Sequence, residues 1–105
     1  MTQVPSVDDG RIAGRIVAEH DRWRLLGALT LDDAAEVLAA SKSLPLPESG
    51  IVDLSGLTQA DSAALAVVLA LRRRAAAEGR TLAVAELSPE LRSLAVVYGI
   101  ADLLA

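Results

Sequence analysis

The sequence predicts a single α/β domain built on a mixed four-stranded β-sheet flanked by about three α-helices, in the order β-β-α-β-α-β-α. Apolar residues alternate with other residues in the N-terminal third, a pattern typical of half-buried strands. Further along, short apolar runs alternate with segments of helical spacing, which indicates parallel strands joined by helices. The chain has 105 residues, a length that suits one domain.

The first two strands are expected in residues 11–21 and 22–31, joined by a turn at His20 and Asp21. Antiparallel strands with so short a connection form a hairpin, so the sheet is expected to be mixed. In the second strand, alternate positions place four residues on one face: Trp23, Leu25, Gly27 and Leu29.

The first helix is expected over residues 30–43. Thr30 is followed three residues later by Asp33, a spacing that resembles a capping box. Its buried stripe is expected to contain Ala34, Val37, Leu38 and Ser41. A loop with two prolines is expected to follow over residues 44–50.

The third strand is expected in residues 51–54, a short β-branched run typical of a strand covered on both faces. Its exit turn is expected at Ser55 and Gly56. The fourth strand is expected in residues 81–87.

The second helix is expected over residues 61–78, whose first residue can cap it, and Gly79 is a natural stop. The last helix has Ser88 as its cap and Pro89 in its first turn, and it ends at Gly99. Its apolar stripe is expected to contain Leu91, Leu94, Ala95 and Tyr98. We expect Tyr98 to lie in the core.

The composition excludes several classes of protein. The absence of cysteine and the single histidine exclude disulfides, thiol nucleophiles and His-rich metal sites. A net charge of −4 with only 2% aromatic residues argues against nucleic-acid binding. No Gly-rich phosphate loop precedes a Lys-Ser/Thr pair, which argues against nucleotide hydrolysis. We therefore expect no enzyme, no metal site and no cofactor.

The N-terminal residues give an expectation about location. Residues 1–10 lack the basic start and apolar stretch of a signal peptide, and we expect them to form a flexible arm ahead of one domain over residues 11–105. The longest apolar run, residues 63–71, is about half as long as a bilayer-spanning helix. We therefore expect a cytoplasmic protein.

The second helix is more apolar than an outer helix of an α/β layer requires. Every position from 63 to 71 is apolar, whereas one stripe would be enough to face a sheet. Four residues then lie outside the stripe: Leu65, Ala66, Leu69 and Ala70. Exposed apolar area of this kind indicates a partner surface, unless neighbouring helices cover it.

Ser62 follows Asp61 at the start of this helix. Free backbone N–H groups and the helix dipole favour a negative group there. A phosphate on Ser62 could be held locally, although Asp61 would oppose it by like charge. The alternative is an ordinary Asp-Ser helix start.

Residues 51–84 together with residues 86–104 resemble a STAS domain, the fold of anti-sigma factor antagonists. The likeness extends from residue 23 to the end of the sequence. Its marks are Asp53, Leu54, Ser55, Asp61 and Ser62. The C-terminal segment is similar to the MlaB branch, the small cytoplasmic subunit of ABC systems that move phospholipid between Gram-negative membranes. The residues that carry this second likeness are Leu91, Leu94, Ala95, Tyr98, Gly99, Leu103 and Leu104.

The resemblance implies a non-catalytic adaptor that binds the ATPase of an ABC-type phospholipid transport system. Such a subunit would lie at the cytoplasmic face of the inner membrane and reach the membrane only through the transporter. The resemblance places the contact on the second helix and the segment before it. The implied partner-binding residues are Thr58, Asp61, Ser62, Ala63, Leu65, Ala66, Leu69 and Arg73.

The resemblance also leaves an alternative function. In an anti-sigma factor antagonist, Ser62 would be phosphorylated by a partner serine kinase. Ala64 stands where STAS domains usually have glycine, two residues after that serine, and its methyl group is expected to alter how closely a partner approaches. A homodimer formed through the same half of the helix is also open.

Overall fold

The computed structural model describes residues 12–19 and 21–104. The strands are β1 (Arg15–Ala18), β2 (Arg22–Leu29), β3 (Ile51–Ala60) and β4 (Ala83–Ala85). The helices are α1 (Leu31–Ser41), α2 (Ser62–Ala77) and α3 (Pro89–Val97), followed by a short 3-10 helix, Ala101–Leu104. The predicted order of elements is confirmed. The arm expected over residues 1–10, and His20 in the expected hairpin turn, lie outside the described residues.

The sheet is mixed, as predicted, with the strand order β1-β2-β3-β4. β1 pairs antiparallel with β2, whereas β2 with β3 and β3 with β4 are parallel. The parallel strands advance in one direction across the sheet, so right-handed crossovers place α1 and α2 on the same face. α2 contacts both α1 and α3. The domain is therefore a layer of helices on one face of a sheet.

The core lies between the helices and the sheet. Trp23 of β2 pairs in register with Val52 of β3, and both are buried. The predicted buried face of β2 is confirmed, because Leu25 and Leu29 are also buried. Further buried apolar side chains come from every helix: Val37, Ala64, Leu65, Val67, Val68, Leu71, Leu91 and Ala95.

Local capping chemistry fixes the helix ends where the sequence predicts them. The Asp33 carboxylate accepts hydrogen bonds from the backbone N–H and the hydroxyl of Thr30, at 3.3 and 2.9 Å. The Ser88 hydroxyl accepts from the backbone N–H of Leu91 at 3.2 Å at the start of α3. Gly79 ends α2 with a φ of 73°, a conformation that glycine adopts without a Cβ penalty.

Tyr98 is exposed (56% of its surface), so its predicted place in the core is wrong. α3 ends at this residue, and Gly99 turns the chain with a φ of 71°. The N–H of Ile100 then donates to the carbonyl of Ala95 at 2.9 Å, which is the bond of a Schellman motif. The turn brings Ile100, rather than Tyr98, against the core.

β3 does not end at Leu54, and the predicted exit turn at Ser55 and Gly56 is wrong. The strand continues to Ala60 because its second half pairs with the second half of β2, from Gly56 opposite Leu26 to Ala60 opposite Leu29. Two register shifts accommodate the pairing. They add a local twist of the kind that bulges produce.

β4 is shorter than the strand predicted over residues 81–87. It pairs with β3 only at Ile51, Val52 and Asp53. Glu86 then takes a φ of 62°, in the left-handed region that is uncommon for residues with a side chain. This conformation cannot continue a strand, so the chain turns towards α3.

Leu65 is buried (2% exposed), so the expectation that it lies on an uncovered face of α2 is wrong. Leu69 is half-buried and packs against the core, whereas Ala66 is exposed. The physical reason is that α2 has helices on both sides as well as the sheet beneath it. Its buried arc is therefore wider than a single stripe.

Two arginines hold the predicted loop between α1 and β3. The Arg74 guanidinium donates to the carbonyls of Ser41 and Leu44, both at 2.7 Å, and lies 5.8 Å from the centre of the Trp23 ring. The Arg80 guanidinium donates to backbone carbonyls further along the same loop, including that of Pro47. Charged donors thereby bond to carbonyls of an irregular segment, in addition to the turn hydrogen bonds that Ser41 and Pro47 accept from Leu44 and Gly50.

The face of the sheet opposite the helices carries a buried carboxylate. The Asp53 carboxylate lies 3.3 Å from the Arg22 guanidinium and accepts a hydrogen bond from the Ser55 backbone N–H at 2.8 Å. Burial alone would raise the pKa of Asp53. The hydrogen bonds from Ser55 and the charge and hydrogen bond of Arg22 outweigh burial and hold this pKa below its ordinary value.

Asp53→Asn should reduce the loss of stability in acid. Because the folded-state pKa of Asp53 lies below its unfolded value of about 3.9, its carboxylate stabilises the fold above that pH. The contribution is lost as the pH falls through the folded-state pKa. Urea unfolding at a series of pH values, from neutral into acid, measures the free energy of unfolding. This free energy should fall further in the wild type than in the variant. The control variant Glu36→Gln, at an exposed position on α1, should lose as much unfolding free energy in acid as the wild type does. Equal losses in the wild type and Asp53→Asn would contradict a stabilising role for the Asp53 carboxylate.

Leu65→Ala should lower the free energy of unfolding by about 2–5 kcal/mol, because it leaves a cavity beneath α2. The matched change at the exposed neighbouring position, Ala66→Ser, should alter it by less than about 1 kcal/mol. Chemical unfolding of both variants measures the difference. A cost below about 1 kcal/mol for Leu65→Ala would show that this side chain is not in the core.

Candidate functional site

Helix N-termini meet at one edge of the sheet. β2 and β3 are parallel, so their carboxyl ends lie at the same edge, and a helix follows each strand directly. The start of α3 lies nearby, because Ala60 at the end of β3 and Ser88 line the same groove. Each helix directs the positive end of its dipole towards this edge. The edge therefore concentrates unpaired backbone donors and partial positive charge.

Asp61 joins two of these helix ends through one carboxylate. Its Oδ1 accepts a hydrogen bond from the backbone N–H of Ala63 at 2.8 Å and so caps α2. Its Oδ2 accepts from the backbone N–H of Leu31, the first residue of α1, at 3.3 Å. The negative charge complements both helix dipoles. Asp61 therefore fixes the position of Ser62 relative to the start of α1.

Ser62 is the first residue of α2 and is exposed. Its hydroxyl has no hydrogen-bond partner among the described residues, so it faces solvent. Ala63 is half-buried. Ala64 is fully buried, and its methyl group packs in the core. The expectation that this methyl group alters the approach of a partner is therefore wrong, because it does not lie between Ser62 and the surface.

Four of the predicted partner-binding residues follow one face of α2. Their spacing of four, three and four positions places them on a single helical stripe: Ser62, Ala66, Leu69 and Arg73. All are exposed except Leu69, which is half-buried. The predicted residue Leu65 does not belong to this stripe because it lies in the core.

The three successive arginines of α2 have different environments. Arg72 donates to the carbonyl of Leu82 at 3.0 Å, and Arg74 donates to the carbonyls at the end of α1. Arg73 is exposed and has no hydrogen-bond or ion-pair partner among the described residues. It is therefore the member of the run that is available to an acidic partner.

Two further exposed residues, Thr58 and Leu31, lie on the elements next to the start of α2. Thr58 is exposed and lies in β3 rather than in a loop, at a register shift between β3 and β2. Leu31 was not predicted, yet it is 79% exposed and its backbone bonds to Asp61. Its sequence signal was an apolar residue directly after the Thr30 cap, outside the stripe of α1. We call the following set the α2 surface: Leu31, Thr58, Ser62, Ala66, Leu69 and Arg73.

Among the described residues, neither a metal-binding cluster nor a membrane-spanning helix is found. No group of three or more His, Cys, Asp or Glu side chains within residues 12–19 and 21–104 is placed to hold a metal ion. In the same part of the chain, every helix is too short or too polar to span a bilayer.

Comparison with known proteins agrees with this architecture. Residues 12–105 match the protein family described as "Mlab, STAS domain". No curated protein matches the sequence. The family match covers most of the chain and includes every strand and helix described above. On this match, and with the mixed sheet and helix layer that the fold shows, the chain belongs to the MlaB-type family of STAS domains.

Proposed function

We propose that this protein is a non-catalytic adaptor subunit that binds the ATPase of an ABC-type phospholipid transport system through the α2 surface. The observation that carries the proposal is an exposed apolar residue at the joined helix ends, Leu31, beside a helix face that combines Ala66 and Leu69 with Arg73, which has no partner among the described residues. Membership of the MlaB-type family supports this choice of partner.

The α2 surface has the composition of a small docking site. Leu31 and the stripe residue Leu69 provide apolar area whose burial favours association. Arg73 lies about one turn beyond Leu69 along the helix and would meet an acidic group of the ATPase, which improves specificity and the association rate. Ser62 would lie within the contact, because it is exposed at the start of α2 and follows Asp61, whose carboxylate accepts from the backbone N–H of Leu31.

Binding would act on the ATPase by mass action. A subunit that binds only the assembled, competent state of the ATPase raises the population of that state in proportion to its occupancy. No catalytic group on this chain is needed. The protein would then lie in the cytoplasm at the inner membrane and contact the membrane only through the transporter.

The resemblance to anti-sigma factor antagonists implies a second candidate function, an antagonist controlled by phosphorylation. The observation that favours it is the exposed hydroxyl of Ser62 at the first position of α2, without a partner among the described residues. A phosphate there would face the N-terminal N–H groups of α2. The Asp61 carboxylate already accepts from Ala63 in this turn, so phosphate would compete with an existing cap and meet like charge.

Ala66→Glu should weaken binding to the transport ATPase at least tenfold, because it places a charge in the middle of the α2 surface. Alanine and glutamate both favour helices, so the fold should be kept. The matched control is Ala40→Glu, at an exposed position on α1 about two and a half turns from Leu31 and on the opposite side of that helix; this variant should bind like the wild type. Both are measured by titration against the purified ATPase subunit. Wild-type affinity in a folded Ala66→Glu variant would place the contact elsewhere.

Intact mass distinguishes the two candidate functions. After incubation with an anti-sigma serine kinase and ATP, an antagonist should gain one phosphoryl group in the wild type and none in Ser62→Ala. Ser93→Ala, an exposed serine on α3, should be phosphorylated like the wild type. Two results together would exclude the antagonist function. The wild-type chain would stay unmodified by the kinase, and in a pull-down from the membrane fraction it would retain an ABC ATPase and its permease.

A further inference from the structure

A groove of about 810 Å³ lies between the second half of β3 and the segment that leads into α3. One wall is formed by β3 from Leu54 to Ala60, and the other by residues from Glu86 to Leu91. Thr30, at the start of α1, completes the lining. The groove has the volume of a ligand site, and it meets the α2 surface only at Thr58.

The β3 wall of this groove is an unpaired strand edge. β3 has ten residues, and β4 pairs with only the first three of them. Beyond Asp53, no other strand of the described chain lies along that edge. Backbone N–H and C=O groups need hydrogen-bond partners, and an open strand edge is a template for another strand.

The conformation of Glu86 creates the groove. Its φ of 62° ends β4 after three residues and directs the chain away from β3. Strained conformations of this kind persist where the surrounding structure holds them, and they are concentrated at functional sites. Without the turn, β4 could continue along β3 and fill the space with the chain's own strand.

The shape of the groove favours a single extended segment as its occupant. The groove has a wall on each side, so the edge of another sheet cannot reach β3. A single strand can enter, because paired strands lie only about 4.8 Å apart. The register shifts near Ser55 and Thr58 twist β3. A flexible segment can follow this twist more easily than a preformed edge of a second copy. Residues 55–60 would pair with a segment about 20 Å long.

The charge of the groove selects the side chains of that segment. Glu86 and Glu90 are exposed and line the groove, and no basic residue is among its lining residues in the described part of the chain. The nearest cation along the chain, Arg92, donates to the backbone carbonyl of Leu87 at 3.4 Å. Its apolar lining includes Leu57, Leu87 and Leu91. In an extended segment, alternate side chains point to opposite sides. One set could therefore contact the leucines while the other carries Lys or Arg to the two glutamates.

We propose that this groove binds an extended, basic segment of another protein chain, which adds to the sheet as a strand along the free edge of β3. Main-chain hydrogen bonds to residues 55–60 would supply affinity, and Glu86 and Glu90 would supply specificity. The inference does not depend on the α2 surface binding an ATPase, because it uses the free edge of β3 rather than the exposed face of α2; the two sites meet at Thr58, which lines the groove.

The test uses two capped synthetic peptides of equal length, one alternating Val with Lys and the other alternating Val with Glu. Each is titrated into the full ¹⁵N-labelled chain, up to its highest soluble concentration. The Val-Lys peptide should shift the amide signals of residues 55–60, slow their hydrogen exchange and bind at least tenfold more tightly than the Val-Glu peptide. In the double variant Glu86→Lys/Glu90→Lys, at two exposed positions, the preference should reverse.

Several results would overturn the proposal. These are no response to either peptide, shifts confined to residues outside the groove, or equal binding of both peptides by the wild type and the double variant. Protection of residues 55–60 that rises with protein concentration in the absence of peptide would identify a second copy as the occupant instead. Backbone signals of the double variant outside the groove should match those of the wild type, which shows that its fold is intact.

Discussion

The parallel pairing of β2 with β3 is the interaction on which the rest of the structure depends. Its first half places Trp23 beside Val52 and so builds the centre of the core. Its second half carries β3 on to Ala60, well beyond the end of β4. The same pairing therefore supplies the buried interior, the edge where α1 and α2 begin, and the open side of β3. Weakening this ladder would disturb the core and the candidate site together.

Asp61 fixes the relative positions of the two helix starts at that edge. Two helix N-termini placed side by side present like partial charges, and the carboxylate bonded to both offsets their repulsion. Leu31 and Ser62 are thereby held in the same region although they are distant in sequence. The exposed apolar and polar groups of the α2 surface follow from this one bridging contact together with the register of α2.

The sequence could predict features that depend on neighbouring residues along the chain. The Thr30 and Asp33 cap, the Ser88 cap and the buried face of β2 rest on such local rules, and all are confirmed. Leu65, Tyr98 and the end of β3 depend on what packs beside them, which no local pattern encodes. For the site, the sequence implied partner-binding residues from Thr58 to Arg73, and their role stays a prediction. It did not include Leu31, whose place beside the start of α2 depends on how α1 and α2 are packed.

The arginine contacts beneath the loop between α1 and β3 bear on how copies of this chain can associate. Domain swapping requires a connection that opens into a hinge, so that an element can move to another copy. Here Arg74 and Arg80 donate to carbonyls along that connection from Ser41 to Pro47. Opening it would leave guanidinium groups and carbonyls without these partners. Exchange of the β1–β2–α1 unit between copies is therefore disfavoured, and self-association would have to use surfaces that are already exposed.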